Sequence, residues 1–584
     1  MQGKNIMTNK KLHNLREIMA KQGFEGFIIP RTDEYLGGYV PECAERLAWL
    51  TGFTGSAGYA VVLQETAVVM SDGRYTIQLA DQVDQESYEL GNSQTQKLSD
   101  WLKEVCVPEG GVIGYDPKLH TSGEITALEE AGFILKAVTQ NLVDMVWADR
   151  PCAPSTPVTL FSEKYAGVSV QEKIKNLQAA LKEERADAAL ITMSDSIAWL
   201  LNIRGNDIPF IPVCLSYALV PVVGKVQWFV DANKIDETVK LVLEEHVEFF
   251  DEDKIESYLK NNNKIWIDEK RSSVYFKNIL QENNIEVLDK EDPCLLPRAC
   301  KNEAEIAAMK TAHIRDGVAF VKFQKWLEEN WGTGISEIGV EKKLEEFRAA
   351  APEFKEPSFS TIAGYGAHGA IVHYRATAES DVTIGADSIL LLDSGAQYED
   401  GTTDITRNFH FCEPTAEMKE DYTLVLKGHI ALARAVFKKG SLGKDIDALA
   451  RGALQAKGKD YAHGTGHGVG CYLSVHEESA GISPRGERAL EAGMILSNEP
   501  GFYKEDSHGI RIENLVLVKE HGDKNYYFET ITLVPKSMNL IDKSMLNKEE
   551  LQWLNDYHAR VYETLAPLLD DAHQEWLKGV TEIF

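Results

Sequence analysis

The chain has 584 residues, 44% of them hydrophobic and 26% charged, with a formal net charge of −29. That length exceeds what one hydrophobic core organises and leaves room for roughly three or four domains. The composition is that of an ordinary folded protein, and the acidic balance excludes non-specific nucleic-acid binding, which needs a basic footprint.

From the first residue, Met1 to Leu15 is polar and basic, without the apolar centre of a signal peptide. No apolar run reaches the roughly 18 residues that would span a membrane. The eight cysteines are scattered without CxxC pairs, a pattern expected of reduced, mostly buried thiols in a cytoplasmic protein.

An internal repeat follows. Leu12, Leu15, Ile18 and Met19 share one helical face; then come the apolar Phe27-Ile28-Ile29, Leu47-Ala48-Trp49-Leu50 and Ala67-Val68-Val69-Met70. The second copy runs through Ile174, Leu177 and Leu181, then Ala188-Ala189-Leu190-Ile191, Ile197-Ala198-Trp199-Leu200 and Trp228-Phe229-Val230. A helical period followed by short apolar runs predicts α/β units in both copies. The paired tryptophans read as one core position used twice, and Pro151, Pro154 and Pro157 separate the copies.

A second boundary falls near Pro297-Arg298. Asn302 with Glu305 predicts a capped helix start, with Ile306, Met309, Ile314, Val318, Phe320 and Phe323 following at helical spacing. From about 303 to 540 helices alternate with β-branched strands, and Lys543 to Phe584 is a helical tail whose Trp553, Leu554, Tyr557, Tyr562 and Leu565 predict packing or an oligomer contact. The expected division is therefore 1–153, 154–300, 301–540 and 541–584.

Five candidate metal ligands lie in the third of these segments. Asp393 ends the apolar run Ile389-Leu390-Leu391-Leu392, and Asp404 opens an alternating strand. The residues from Ser394 to Gly401 have hairpin chemistry, so adjacent antiparallel strands would put both carboxylates on one side. His467 sits in His463-Gly464-Thr465-Gly466-His467-Gly468-Val469-Gly470, too rich in glycine for a helix. Glu499 ends another apolar run before Pro500-Gly501, and Glu513 interrupts the alternation of a strand from Ile510 to Leu517. Singly, each is an ordinary strand-end acid or a stray histidine. Together, four carboxylates and an imidazole are what two divalent cations need, with two acids bridging. Hard oxygen donors with one nitrogen suit manganese, cobalt or zinc, and geometry has to decide among them.

With these residues the chain resembles the pita-bread metallopeptidase superfamily, which includes methionine aminopeptidases, prolidases and aminopeptidase P. It is most similar to the three-domain cytosolic aminopeptidase P (Xaa-Pro aminopeptidase) group. The motifs are Ile371-Val372-His373-Tyr374, Leu392-Asp393-Ser394-Gly395, Thr402-Thr403-Asp404-Ile405-Thr406-Arg407, the glycine-rich His463 to Gly470, Val475-His476-Glu477, Asn498-Glu499-Pro500-Gly501 and Arg511-Ile512-Glu513-Asn514. The implied fold is two similar creatinase-like α/β N-terminal domains followed by an α+β pita-bread catalytic domain.

The resemblance implies Asp393 as a terminal ligand of one metal, Asp404 and Glu513 as bridges, and His467 and Glu499 on the second metal. His373 and His476 would flank the scissile bond, Glu499 would also shuttle a proton, and His463, Tyr503 and Arg511 would surround a proline pocket. The implied reaction is hydrolysis of the N-terminal Xaa-Pro bond by a metal-bridging hydroxide. The implied substrates are peptides with a free N-terminus and proline second; a homodimer is also implied. The alternatives are a prolidase restricted to Xaa-Pro dipeptides and a non-enzymatic peptide-binding module of the same fold. A serine hydrolase is excluded, since Gly55-Ser56-Ala57-Gly58 does not make a GxSxG elbow.

Overall fold

The computed structural model describes residues 2–105, 107 and 110–582, without the side chains of 2–9 and 479. Met1 and Cys106 lie outside the described residues. The chain up to Glu163, with Val168–Leu295, forms one compact unit; Lys164–Gly167 and the chain from Leu296 onward form a second.

The first unit contains two six-stranded sheets with the same strand order and the same pattern of pairings. In the first sheet Gly26–Pro30 pairs antiparallel with Tyr59–Leu63 on one side and parallel with Val112–Tyr115 on the other. In the second, Ala188–Ile191 pairs antiparallel with Tyr217–Pro221 and parallel with Lys264–Ile267. The repeat seen in the sequence is thus a repeat of topology. It extends to side chains. Lys11 Nζ donates to Trp49 O at 2.6 Å and lies 4.5 Å from the Trp49 ring; Lys173 Nζ does the same to Trp199 at 2.8 and 4.2 Å. Both tryptophans are half-buried, so each indole packs inward while its helix end receives an ammonium.

The second unit is built on antiparallel strands. The helix Glu303–Asn330 starts as predicted: Asn302 accepts from the Ala304 and Glu305 amides, and Glu305 accepts from the Asn302 amide. Its Phe320, Phe323 and Leu327 pack on Leu390, Leu392, Ile405 and Phe409. Its Val321, with Ile314 and Val318, packs on Tyr557, Val561 and Leu565 of the tail. The tail forms two helices, Lys548–Leu565 and Asp571–Val580, and their buried apolar residues pack within the unit.

Two strand expectations are corrected. The strands Leu390–Ser394 and Ile405–Phe409 are antiparallel neighbours with Asp393 opposite Thr406. However, the link between them is not one simple hairpin. Ala396–Tyr398 and Gly401–Thr402 pair with each other and join Phe354–Pro357 in a separate sheet, which leaves Asp404 just ahead of its strand. The chain turns at Gly395, where a Cβ would stand 2.1 Å from Thr403 O and 2.0 Å from Ser358 Oγ. Likewise the predicted strand from Ile510 to Leu517 is two, His508–Arg511 and Asn514–His521. Ile512 and Glu513 lie between them, with the Glu513 amide bonded to Thr406 O at 3.3 Å.

The seven described cysteines are free thiols, four of them buried. No helix among the described residues is long and apolar enough to cross a membrane.

Candidate metal centre

Four strands bring the acids together, one carrying its acid and three flanking theirs. Asp393 is carried by Leu390–Ser394, whose three leucines are buried. Asp404 and Thr406 flank the start of the neighbouring strand. Glu499 follows the strand Ile495–Asn498, and Glu513 precedes Asn514–His521; these two strands pair with Asn498 opposite Asn514. His467 lies in the short strand Gly466–Gly468. That strand approaches the Glu499 strand so closely that a Cβ on Gly466 would stand 2.0 Å from Ser497 O. The glycine-rich stretch is there for this contact.

One donor atom each from Asp404, His467 and Glu513 lie within 4.8 Å of one another. His467 Nε2 is 3.6 Å from Asp404 Oδ2 and 3.7 Å from Glu499 Oε1. His467 Nδ1 is 2.9 Å from Gly468 O, which fixes the proton on Nδ1 and turns the Nε2 lone pair toward the acids. Burial holds the His467 pKa below the usual imidazole value, so the ring is neutral and ready to coordinate.

The acids are held apart from water. Asp393, Asp404 and Glu513 are at most 7% exposed. Burial and then mutual repulsion push the carboxyls of Asp404 and Glu499 well above the ordinary range, and Glu513 up to about 8. Arg511 supplies one positive charge, donating to Asp393 Oδ2 at 2.6 Å from Nη2 and 3.2 Å from Nε. Asp393 Oδ1 is buried with no hydrogen-bond partner among the described residues. An orphaned carboxylate oxygen beside three crowded acids and an imidazole lone pair is a donor set suited to cations. Two divalent ions fit it in charge and in ligand type.

Around this cluster a single phenol joins two further candidates. Tyr503 OH accepts from Arg511 Nη1 at 2.6 Å and lies 2.8 Å from His463 Nε2. His463 Nδ1 is 2.7 Å from Gly464 O and 4.0 Å from Glu499 Oε2. The His463 ring packs against Tyr461 and Tyr503, with centroids 4.8 and 5.4 Å apart. His476 is exposed, its ring centroid 4.3 Å from that of His467. His373 lies on a loop whose preceding carbonyl, Val372 O, is 3.3 Å from Arg511 Nη2.

Several supporting residues escaped the reading of the sequence. Thr406 Oγ1 donates to Glu513 Oε2 at 2.9 Å, and Ser497 Oγ accepts from the His467 amide at 2.9 Å. Each stands two residues from a ligand, so strand alternation could have found them. Behind Glu513, the buried Arg407 donates to Glu513 O at 2.6 Å, to Asn514 Oδ1 at 2.8 Å and to Tyr557 OH at 3.1 Å. His429 is bonded to both Asn498 and Asn514. Nothing in the local pattern marks these.

With this geometry in view, comparisons with known proteins are informative. Residues 307–520 match the model of metallopeptidase family M24, and 524–584 that of its C-terminal region. Residues 11–145 and 149–305 each match a creatinase/prolidase N-terminal domain. A probable Xaa-Pro aminopeptidase P of Tuber melanosporum is 39% identical, covering 99% of both chains. One of Laccaria bicolor is 39% identical over 98% of this chain and 93% of its own. Among solved structures, the Caenorhabditis elegans X-prolyl aminopeptidase, described as a cytosolic enzyme with a di-nuclear active site, superposes with a TM-score of 0.94. It is 34% identical and covers 99% of this chain and 100% of its own. A Bacillus anthracis Xaa-Pro dipeptidase aligns with 63% of this chain and 99% of its own, at TM-score 0.52 and 26% identity.

Proposed function

The chain belongs to metallopeptidase family M24, and on that premise we propose that it is a metal-dependent Xaa-Pro aminopeptidase whose two divalent cations are held by Asp393, Asp404, His467, Glu499 and Glu513. One observation carries the reading: a whole-chain likeness to an X-prolyl aminopeptidase coincides with a buried acid cluster in which Asp393 Oδ1 still lacks a partner.

In this reading Asp393, Asp404 and Glu513 would hold one cation, and Asp404, Glu513, His467 and Glu499 the other. When bound, the two cations supply Lewis acidity and bring a water to ionisation near neutral pH. The protein does the rest. Glu499 presents Oε1 to His467 and Oε2 to His463, so one oxygen would help hold the cation while the other would carry a proton toward the leaving nitrogen. His373 or His476 would donate to the oxygen that gains charge at the scissile carbonyl, a contact worth roughly 3–4 kcal/mol of barrier. His463, Tyr503 and Arg511 form the wall against which proline packs. The Xaa-Pro bond is a tertiary amide without an N–H, so recognition has to come from ring faces of this kind rather than from a backbone acceptor.

The dipeptidase alternative is not favoured, because a solved Xaa-Pro dipeptidase accounts for 63% of this chain whereas the aminopeptidase relatives account for nearly all of it. A binding module without activity is not favoured either, since the ligand set is complete. The same reading takes manganese as the metal, the cytoplasm as the location, a homodimer as the assembly and a free peptide N-terminus as a requirement. It takes 1–153 and 154–300 as the paired N-terminal domains, 301–540 as the catalytic domain and 541–584 as its helical extension.

The test is release of the first amino acid from Arg-Pro-Pro and from Arg-Ala-Ala, after metal stripping and after manganese is restored. Metal-restored cleavage of the proline peptide alone is expected. Cleavage of both peptides overturns the proline pocket, and cleavage of neither overturns the enzyme.

A further inference from the structure

The loop that carries His373 has little structure of its own. After the strand Ile362–Tyr365 the chain makes one short 3-10 turn, Gly366–Ala370. Up to Leu390 it then forms two short turns, closed by Tyr374 N to Ile371 O at 3.0 Å and Ser380 N to Thr377 O at 3.1 Å, and an isolated bridge, Thr383 with Ser336. A histidine that must hold a hydrogen bond to a reacting oxygen needs firmer support than that.

Further support comes from one carboxylate. Glu337 opens the helix Glu337–Ala349 and is fully buried. Its Oε1 accepts from the Tyr365 amide at 2.7 Å and from His368 Nδ1 at 2.9 Å. Its Oε2 accepts from Tyr374 OH at 2.9 Å and from the Val382 amide at 3.4 Å. The His368 and Tyr374 rings that donate to it stack on each other with centroids 4.5 Å apart. A single side chain therefore ties four points of an irregular segment, and its charge sits at a helix N-terminus that favours it. On the other side of His373, Arg511 Nη2 reaches Val372 O while also holding Asp393.

We propose that Glu337 is a positioning residue for catalysis: acting through Tyr374, it brackets His373 together with Arg511 and fixes that imidazole relative to Asp393. The inference rests on the reading of His373 as a group beside the scissile bond. Gln cannot replace Glu here, because both oxygens receive donors and an amide NH2 would face one of them.

The test compares Glu337→Gln, Tyr374→Phe, His373→Ala and the double variant Glu337→Gln/His373→Ala. The readouts are kcat and KM on Arg-Pro-Pro, bound metal by mass spectrometry, and melting temperature. Glu337→Gln should lower kcat by about 10- to 100-fold while KM and the two-metal content stay at the wild-type level. In the His373→Ala background the same change should cost no more than about two-fold, since the two act as one unit. If Glu337→Gln does not fold, Tyr374→Phe, which removes one hydroxyl, carries the same expectations. A wild-type kcat, a lost metal ion, or an undiminished penalty in the double variant overturns the inference while leaving the aminopeptidase reading intact. An unimpaired His373→Ala overturns the role of His373 and the inference with it.

Discussion

Tyr503 shows how much one atom can decide. Its hydroxyl accepts from Arg511 and lies against His463 Nε2, so the guanidinium holding Asp393 and the imidazole facing Glu499 are oriented through the same oxygen. Tyr503→Phe keeps the ring face for proline and removes the link. A lost buried hydrogen bond of this kind costs about 1–3 kcal/mol. We expect kcat/KM on Arg-Pro-Pro to fall by about 10- to 100-fold with two metal ions retained; unchanged kinetics would remove Tyr503 from the site. At this scale the sequence was informative wherever a charged residue ended an apolar run, as at Asp393 and Glu499. It was silent at Glu337, whose partners at 365, 368, 374 and 382 are met only after the chain has folded back.

Elements carry the next level of argument. The helix Glu303–Asn330 has its predicted capping box and two apolar faces, one for the strands and one for the tail helices. That doubling explains why its apolar residues exceed a single stripe. Asn302→Ala should cost about 1 kcal/mol, read as a lower melting temperature with kcat unchanged. A fall in kcat at constant stability would mean the cap acts on the site. The strand pattern was legible in kind but not in its ends: the break at Ile512 and Glu513 and the detour through residues 396–402 depend on where neighbouring backbones run. The tail helix reaches the metal centre from behind, since Tyr557 OH accepts from the same Arg407 that holds Glu513 O. Alternation and helical period report on burial, not on which buried groups meet.

The whole molecule carries a formal charge of −29 and concentrates four acids at its candidate centre, so pH and metal should act together on stability. Glu513 has a folded pKa of about 8, above its ordinary 4.5, first because of burial and then because of Asp393; Asp404 and Glu499 are raised as well. An acid whose folded pKa is raised favours the fold while protonated, and that contribution is lost as pH climbs from the unfolded value through the folded one. Bound cations replace those protons. The difference in melting temperature between manganese-loaded and metal-stripped protein should therefore widen from pH 5 to pH 8, as scanning calorimetry would read; a constant difference would show that the acids are not held as a cation site. In the stripped protein at pH 8, Glu513→Gln should raise the melting temperature by removing one of the repelling charges.

The sequence by itself determined the duplicated α/β architecture and the capped helix and offered five candidate ligands, because these depend on periodicity, turn chemistry and order along the chain, which are local. Only the tertiary structure decided that Asp404 and Glu513 sit in breaks beside strands, that the tail packs on its own unit, that Thr406 and Arg407 bond Glu513, that His429 bonds Asn498 and Asn514, and that Glu337 ties together residues 365 to 382. Those are hydrogen bonds between residues far apart in the chain. Their geometry exists only once burial has removed water as the competing partner.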